Sequence, residues 1–262
     1  MVTTAQAKAK YDQLVDRYED IFFYVADVGK DLVAFANPAP GVRVLDVGAG
    51  RGAVARAALA KGCAVTAIDA SPLMMRRLAE EHPEIAASEG DLYRTGFADG
   101  SFDLVTAGFV MQVLDDPLAA LTEFRRVLVR GGQVALSLER QSVGRLAWFQ
   151  DLSLEFFAPE GSSAPSSEQA GPMTHDQLDA LLVEAGFEDL VRESVEMPTP
   201  LADPSALWEW LMPRGLAEMV PALPPERRAE FHRRFLEDAR RMHEDGGIVL
   251  EFAATLHRAY YR

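Results

Sequence analysis

Three aspartates and a run of alternating glycines carry the chemistry this sequence offers. Asp46 sits near the end of an apolar run, Val44-Leu45-Asp46-Val47, and Gly48-Ala49-Gly50-Arg51-Gly52 follows directly. Asp69 ends a second apolar run that starts at Ala64, and Asp91 lies in Gly90-Asp91-Leu92 at the end of a weaker third run. Glycine at every second position allows positive φ and lets a ligand approach the backbone closely. A helical pattern from Ala53 to Lys61 begins as the glycines end, so its first-turn N–H groups are expected to face that ligand. Carboxylates at strand ends accept protons from hydroxyl and amino groups. A strand, a glycine turn and a helix start therefore form a seat for a cofactor rich in such groups.

Two templates fit the turn. Residues 48 to 53, read as G-x-G-x-x-A, match a dinucleotide fingerprint with Asp69 as the ribose-binding acid. Read from Asp46 as D-x-G-x-G-x-G, the same residues resemble the first motif of the class I S-adenosylmethionine-dependent methyltransferases (small-molecule type, methyltransferase domain 11/25-like). Asp69 is common to both. Asp46 separates them, because a carboxylate two residues before the first glycine repels a pyrophosphate and favours a ligand bearing an ammonium and a sulfonium. Ser101-Phe102-Asp103-Leu104-Val105 is similar to the methyltransferase fourth strand, and Leu128-Val129-Arg130-Gly131-Gly132-Gln133-Val134 to the turn into the fifth. The resemblance covers residues 42 to 140.

The resemblance implies a Rossmann-like α/β fold. Its open, twisted sheet has about seven mostly parallel strands, the last antiparallel, with helices on both faces, a helical N-terminal lid and a helical insert before the last strand. It implies S-adenosyl-L-methionine as cofactor, held by Tyr18, Asp46, Gly48, Ala49, Gly50, Asp69, Ala70, Asp91, Leu92 and Gly108. Asp91 would accept from the adenine amino group and the Leu92 backbone would meet a ring nitrogen. The same residues have plainer uses: Asp46 as a cap for the turn or the next helix, Asp91 as an acceptor for loop backbone, Arg51 as a solvent-facing side chain or a partner of the cofactor carboxylate.

Strand and helix signals alternate in support. Residues 3 to 36 read as one or two amphipathic helices that stop at Asn37-Pro38-Ala39-Pro40-Gly41. Strands are expected at 42–47, 64–69, 85–89, 102–107, 133–138 and 188–197. Helices are expected at 53–61, 72–81 behind a Ser71 cap, 118–129, 174–186 and within 205–245. Ile248 to Tyr261 fits a strand or a helix, and its alternation favours the strand. Residues 158 to 172 read as a loop. The whole chain is expected to form one domain, with a helical cap at 1–40, a cofactor core at 41–140 and substrate-side inserts and remaining strands at 141–262.

A net charge of −14 disfavours nucleic acid as a partner. No apolar stretch approaches a membrane span and the N-terminus lacks a signal-peptide layout, so a cytoplasmic monomer or homodimer is expected. The single cysteine, Cys63, forms no internal disulfide and reads as a buried residue. The histidines show no metal-ligand spacing, and His175, ahead of a helix, reads as a base or a surface residue, the surface reading being favoured.

Methyl transfer from a sulfonium is an in-line displacement that needs orientation and desolvation, with a base only for some acceptors. Many relatives carry a histidine pair near Met111-Gln112, which this chain lacks, so no catalytic base is assigned. Aromatic residues are frequent in three segments expected to form the lid: Tyr11, Tyr18, Phe22, Phe23 and Tyr24; Trp148, Phe149, Phe156 and Phe157; Trp208 and Trp210. They suit an apolar or aromatic small-molecule acceptor, methylated at O, N or C, as in natural-product tailoring. A non-catalytic S-adenosylmethionine-binding protein, a sensor or partner subunit, is the alternative. The paired arginines at 227/228, 233/234 and 240/241 read as a solvated helix face, or as a grip on an anionic substrate.

Overall fold

The computed structural model describes Lys8 and residues 11–140, 144–157 and 173–262. The loop expected at 158–172 and the first residues of the expected N-terminal helix lie outside this set. Two compact units divide the chain: one from Met1–Glu139, Pro172–Val195 and Ala254–Arg262, the other from Arg140–Gly171 and Glu196–Ala253.

The first unit is built on parallel strands. β1 (Arg43–Val47), β2 (Ala64–Asp69), β3 (Ala86–Glu89), β4 (Phe102–Gly108) and β5 (Leu128–Arg140) pair in parallel. With β6 (Glu188–Leu201) and β7 (Ile248–Tyr260) they complete a seven-stranded sheet of order β3-β2-β1-β4-β5-β7-β6. The Tyr261 N–H donates to the Gly132 carbonyl, so the end of β7 lies beside the start of β5 and the last strand is antiparallel. The expected open sheet is therefore present, and the ambiguous segment at 248–260 is a strand.

Alternation along the strands separates two faces. Leu45, Val47, Val105 and Ala107 join a buried cluster with Leu121 and Phe124 of α5 (Pro117–Val127) and Leu178 and Leu182 of α7 (His175–Glu184). Their neighbours Asp46 and Thr106 face the other way, toward α3 (Ala53–Ala60). The helix starts follow their sequence signals. Ser71 Oγ accepts the Met74 N–H at 3.1 Å and opens α4 (Pro72–Glu81), as expected. Thr174 and Gln177 form a reciprocal capping box at α7. Cys63 is buried.

The N-terminal helical pattern is interrupted. Residues 11–14 are helical, a turn follows, and then come the short α1 (Tyr18–Ile21) and the longer α2 (Val25–Ala36). The interruption follows the reading of more than one helix, and at the first turn the Val15 carbonyl accepts from the Arg51 guanidinium at 2.8 Å. Left-handed Asn37, with φ 48°, ends α2 ahead of Pro38.

The second unit has its own apolar core. α6 (Ala147–Phe157), α8 (Pro204–Leu211), α9 (Leu216–Ala222) and α10 (Pro225–Glu244) bury Leu152, Leu207, Phe231, Phe235 and Met242 together with Ile248 and Leu250. The aromatic residues expected here as lid pack inside this core: Trp148 and Trp208 against Phe235, Phe157 against Phe231, Trp210 against Phe252. Their helical spacing reports packing within the unit. The arginine pairs of α10 follow the solvated reading, since Arg233 pairs with Glu230 and Glu237, Arg241 with Glu237 and Asp238, and Arg234 with Glu155.

His175 departs from its expected surface position. Its ring stacks on His257 at 5.6 Å, and its Nε2 lies 3.3 Å from Thr255 Oγ1. His257 is 1% exposed, with Nδ1 2.8 Å from Asp179 Oδ1; Arg192 contacts both Asp179 and Asp176. Burial lowers the His257 pKa more than Asp179 raises it. The fold therefore favours neutral His257, and this contribution is complete above the ordinary histidine value of 6.5 and lost as pH falls through it. In urea unfolding from pH 8 to pH 5, His257→Asn is expected to lose stability less steeply on acidification than the wild type. Identical slopes would show that His257 does not titrate on unfolding.

Candidate cofactor site

The site begins with a buried carboxylate. Asp46 is 1% exposed and both of its oxygens are engaged: Oδ2 accepts the Ala55 N–H at 3.0 Å and Oδ1 the Thr106 hydroxyl at 2.8 Å. It ties β1 to β4 and caps the third residue of α3. Its place is behind the glycine turn, which matches the capping reading. Burial pushes its pKa up to about 7, against the two hydrogen bonds.

The turn itself is closed by internal bonds. Gly48, Gly50 and Gly52 all have positive φ, at 64°, 53° and 80°. A Cβ at Gly48 would come within 2.5 Å of the Val110 side chain, so close packing as well as conformation demands glycine there. The Ala49 N–H donates to Ile68 O, the Gly50 N–H to Asp69 Oδ2 at 2.9 Å, and the Gly52 N–H to Ala49 O. These three precede the helix; within its first turn, whose N–H groups are expected to face the ligand, the Ala55 N–H is taken by Asp46. A pyrophosphate would find those donors already committed, with a carboxylate behind them.

In front of the turn lies a cavity of about 290 Å³ at the carboxyl ends of the strands. It is lined by Tyr18, Gly48, Gly50, Asp69, Ala70, Leu92 and Gly108, seven of the ten residues expected at the cofactor. Asp46 and Ala49 instead border an adjoining recess of about 40 Å³. Asp91 joins neither. It is exposed, and its Oδ1 accepts the Tyr93 N–H at 2.9 Å, which is the loop-backbone role. Asp69 is part-buried, its oxygens hold the N–H groups of Gly50 and Ser71, and burial raises its pKa. Each oxygen retains a lone pair for a ligand hydroxyl. Burial also raises the pKa of Tyr11 and Tyr18, so both phenols stay protonated and can donate.

The residues over the turn come from the N-terminal segment. Tyr11, Tyr18, Phe22 and Tyr24 line the cavity, as the lid reading expected of them. Polar contacts hold the segment down: Asp12 to Ser71, Asp16 to Arg77, Glu19 to Arg56. Arg51 neither faces solvent nor reaches into the cavity. It is 8% exposed, and its guanidinium donates to both oxygens of Glu81 at 2.8 Å and to the Val15 carbonyl. Sequence reasoning missed Glu139, which lines the far end of the cavity where its N–H donates to Gln112 Oε1 at 3.1 Å. Its position at the end of β5 was the available signal.

A methyltransferase-domain family profile matches residues 45–136. Nocamycin O-methyltransferase of Saccharothrix syringae is 29% identical over 256 residues, 89% of each chain. Aklanonic acid methyltransferase DauC of Streptomyces sp. (strain C5) is 32% identical over 161 residues, 58% of this chain and 71% of that relative. The chain belongs to the class I S-adenosylmethionine-dependent methyltransferases. Among solved structures, the [4+2]-cyclase SpnF shares the fold with a TM-score of 0.61 at 19% identity, over 98% of this methyltransferase and 96% of that chain.

S-adenosylmethionine is the cofactor of this family, and the site fits it. The donor set in front of the turn offers a carboxylate, two phenols and the open backbone face of Gly50, where a Cβ would meet nothing nearer than Tyr18 at 4.0 Å. That suits ribose hydroxyls and a cationic amino acid portion better than phosphates.

Two outcomes follow for this methyltransferase. A carboxylate whose pKa is raised by folding stabilises the fold below its ordinary value, and that contribution is lost as pH rises from about 4 to about 7. Asp46→Asn can keep both bonds, its oxygen accepting from Ala55 and its amide donating to Thr106. Relative to wild type it should gain roughly 1.4 kcal/mol per pH unit across that window; parallel stability curves would refute the titration. Arg51→Met should free the N-terminal segment, making amide exchange at residues 15–22 roughly tenfold faster, with unchanged exchange as the contrary result.

Proposed function

We propose that this methyltransferase acts on a small, largely apolar molecule and methylates it at oxygen. The cavity carries the reading. It is lined by Asp69 and Leu92, by Phe22, Tyr24, Phe109, Val113 and Leu114, and by Gln112 and Glu139 as polar groups among them. An apolar pocket with few polar groups is the usual form of a small-molecule site. A cavity that continues past the turn to the ends of β4 and β5 weighs against a non-catalytic binding protein. Support for oxygen comes from a relative whose name is nocamycin O-methyltransferase.

In this reading Asp69 accepts the ribose hydroxyls, and Leu92 with the Asp91 loop borders the adenine. Gly48, Ala49, Gly50, Ala70 and Gly108 form the backbone wall, and Tyr18 closes over the turn. Asp46 acts from behind by fixing that wall. When bound, the cofactor supplies an electrophilic methyl carbon on a sulfonium. The chain's own residues exclude water and hold the acceptor in line. The chain is read as one methyltransferase domain, 1–262, that works in the cytoplasm as a monomer or homodimer without nucleic acid. Its charge of −14 supports this, and none of its described helices is long and apolar enough to cross a membrane.

Calorimetric titration with S-adenosylmethionine, S-adenosylhomocysteine and NADH tests the cofactor, and mass spectrometry of a panel of phenols, enols and carboxylic acids tests the acceptor. Asp69→Asn should weaken S-adenosylhomocysteine binding roughly 10- to 100-fold. NADH binding alone, or undiminished affinity in the variant, would sink the assignment.

A further inference from the structure

Phe109 is the first residue beyond β4 and stands in the left-handed region, with φ 57°. Glycine adopts that conformation readily, whereas a bulky aromatic residue there is strained. The bend is imposed by the sheet. The Phe109 N–H is anchored to both the carbonyl and the hydroxyl of Ser137, at 3.1 and 3.0 Å, and Ser137 is fully buried on β5. A glycine would make the same backbone bonds without strain, so the side chain accounts for the residue. Its ring lines the cavity with Tyr18, Phe22 and Tyr24, and meets the Tyr24 ring edge-to-face at 5.9 Å.

The same bend leads into the short 3-10 turn Met111–Val113, which carries Gln112 to the cavity. The Gln112 carbonyl oxygen accepts the Glu139 N–H at 3.1 Å, so its NH₂ group serves a ligand as donor. Glu139 is the next-to-last residue of β5, three strands from β2 and its Asp69, or roughly 14 Å at ordinary strand spacing. An aromatic wall and an amide donor thus line the same cavity as Asp69.

We propose that Phe109 and Gln112 select the methyl acceptor, a flat conjugated ring bearing an oxygen. The ring stacks in the slot walled by Phe109, and its oxygen accepts from the Gln112 amide. This rests on the methyl-transfer reading above and names the acceptor class for the same site.

The test titrates 2-naphthol, decahydro-2-naphthol and naphthalene into the full chain saturated with S-adenosylhomocysteine. Wild type should bind 2-naphthol at least about tenfold tighter than either comparison compound. Phe109→Leu keeps the strain and most of the apolar bulk but loses the flat face, so it should lose the preference over decahydro-2-naphthol. Gln112→Leu should lose the preference over naphthalene. Phe109→Gly should weaken 2-naphthol about tenfold while leaving S-adenosylhomocysteine affinity within about twofold, a split that a merely structural ring would not give. Equal wild-type binding of the flat and saturated alcohols would overturn the proposal. So would a loss of S-adenosylhomocysteine affinity in Phe109→Gly as large as the loss for 2-naphthol. Failure of S-adenosylhomocysteine to bind at all falls on the methyl-transfer reading. The same comparison on the protein alone, with the same selectivity expected, then decides the acceptor class.

Discussion

A carboxylate with no access to solvent holds the centre of this site together. Asp46 lies where β1 gives way to the glycine turn, and it joins a strand, the neighbouring strand and the next helix through two hydrogen bonds. Burying a carboxylate is costly unless its oxygens are satisfied, and here both are. The turn is consequently fixed from behind. Gly48 can press against Val110, and the open backbone of Gly50 is left facing Tyr18. The cavity in front inherits its shape from this arrangement.

The bonds within the turn also determine what the seat can hold. A phosphate-binding loop keeps its N–H groups free for the ligand. Here Ala49, Gly50 and Gly52 spend theirs on Ile68, Asp69 and Ala49. What remains toward the ligand is an acceptor, Asp69, and two protonated tyrosines that can donate. Glycine spacing is shared by two kinds of site, and hydrogen-bond direction distinguishes them.

Local signals made most of the first unit legible. Strand ends, the Ser71 cap and the Thr174 start follow from residues adjacent in sequence, and seven cofactor-side residues expected from motif positions do line one cavity. Long-range effects were not legible. The Val15 carbonyl is captured by a side chain 36 residues away, and nothing near Val15 announces it. Asp91 has the motif position but spends an oxygen on its own loop. The aromatic residues of α6 and α8 have the spacing of a binding face, yet they fill a core whose other half is α10. Periodicity states that a face is apolar; it does not state what covers it. Phe109 was invisible for another reason, since a residue type carries no record of the backbone angle imposed on it.

The strand order has a consequence for how this chain is made. β7 is the last strand in sequence, yet it lies between β5 and β6. During synthesis β5 and β6 emerge with no strand to join them, and each presents an open edge until the final residues arrive. Contacts closed this late in the chain are slow to form because they are distant in sequence. The cofactor half can assemble early on local pairings, while the outer sheet waits for its C-terminal segment. Loss of those last residues would leave β6 stranded without its neighbour.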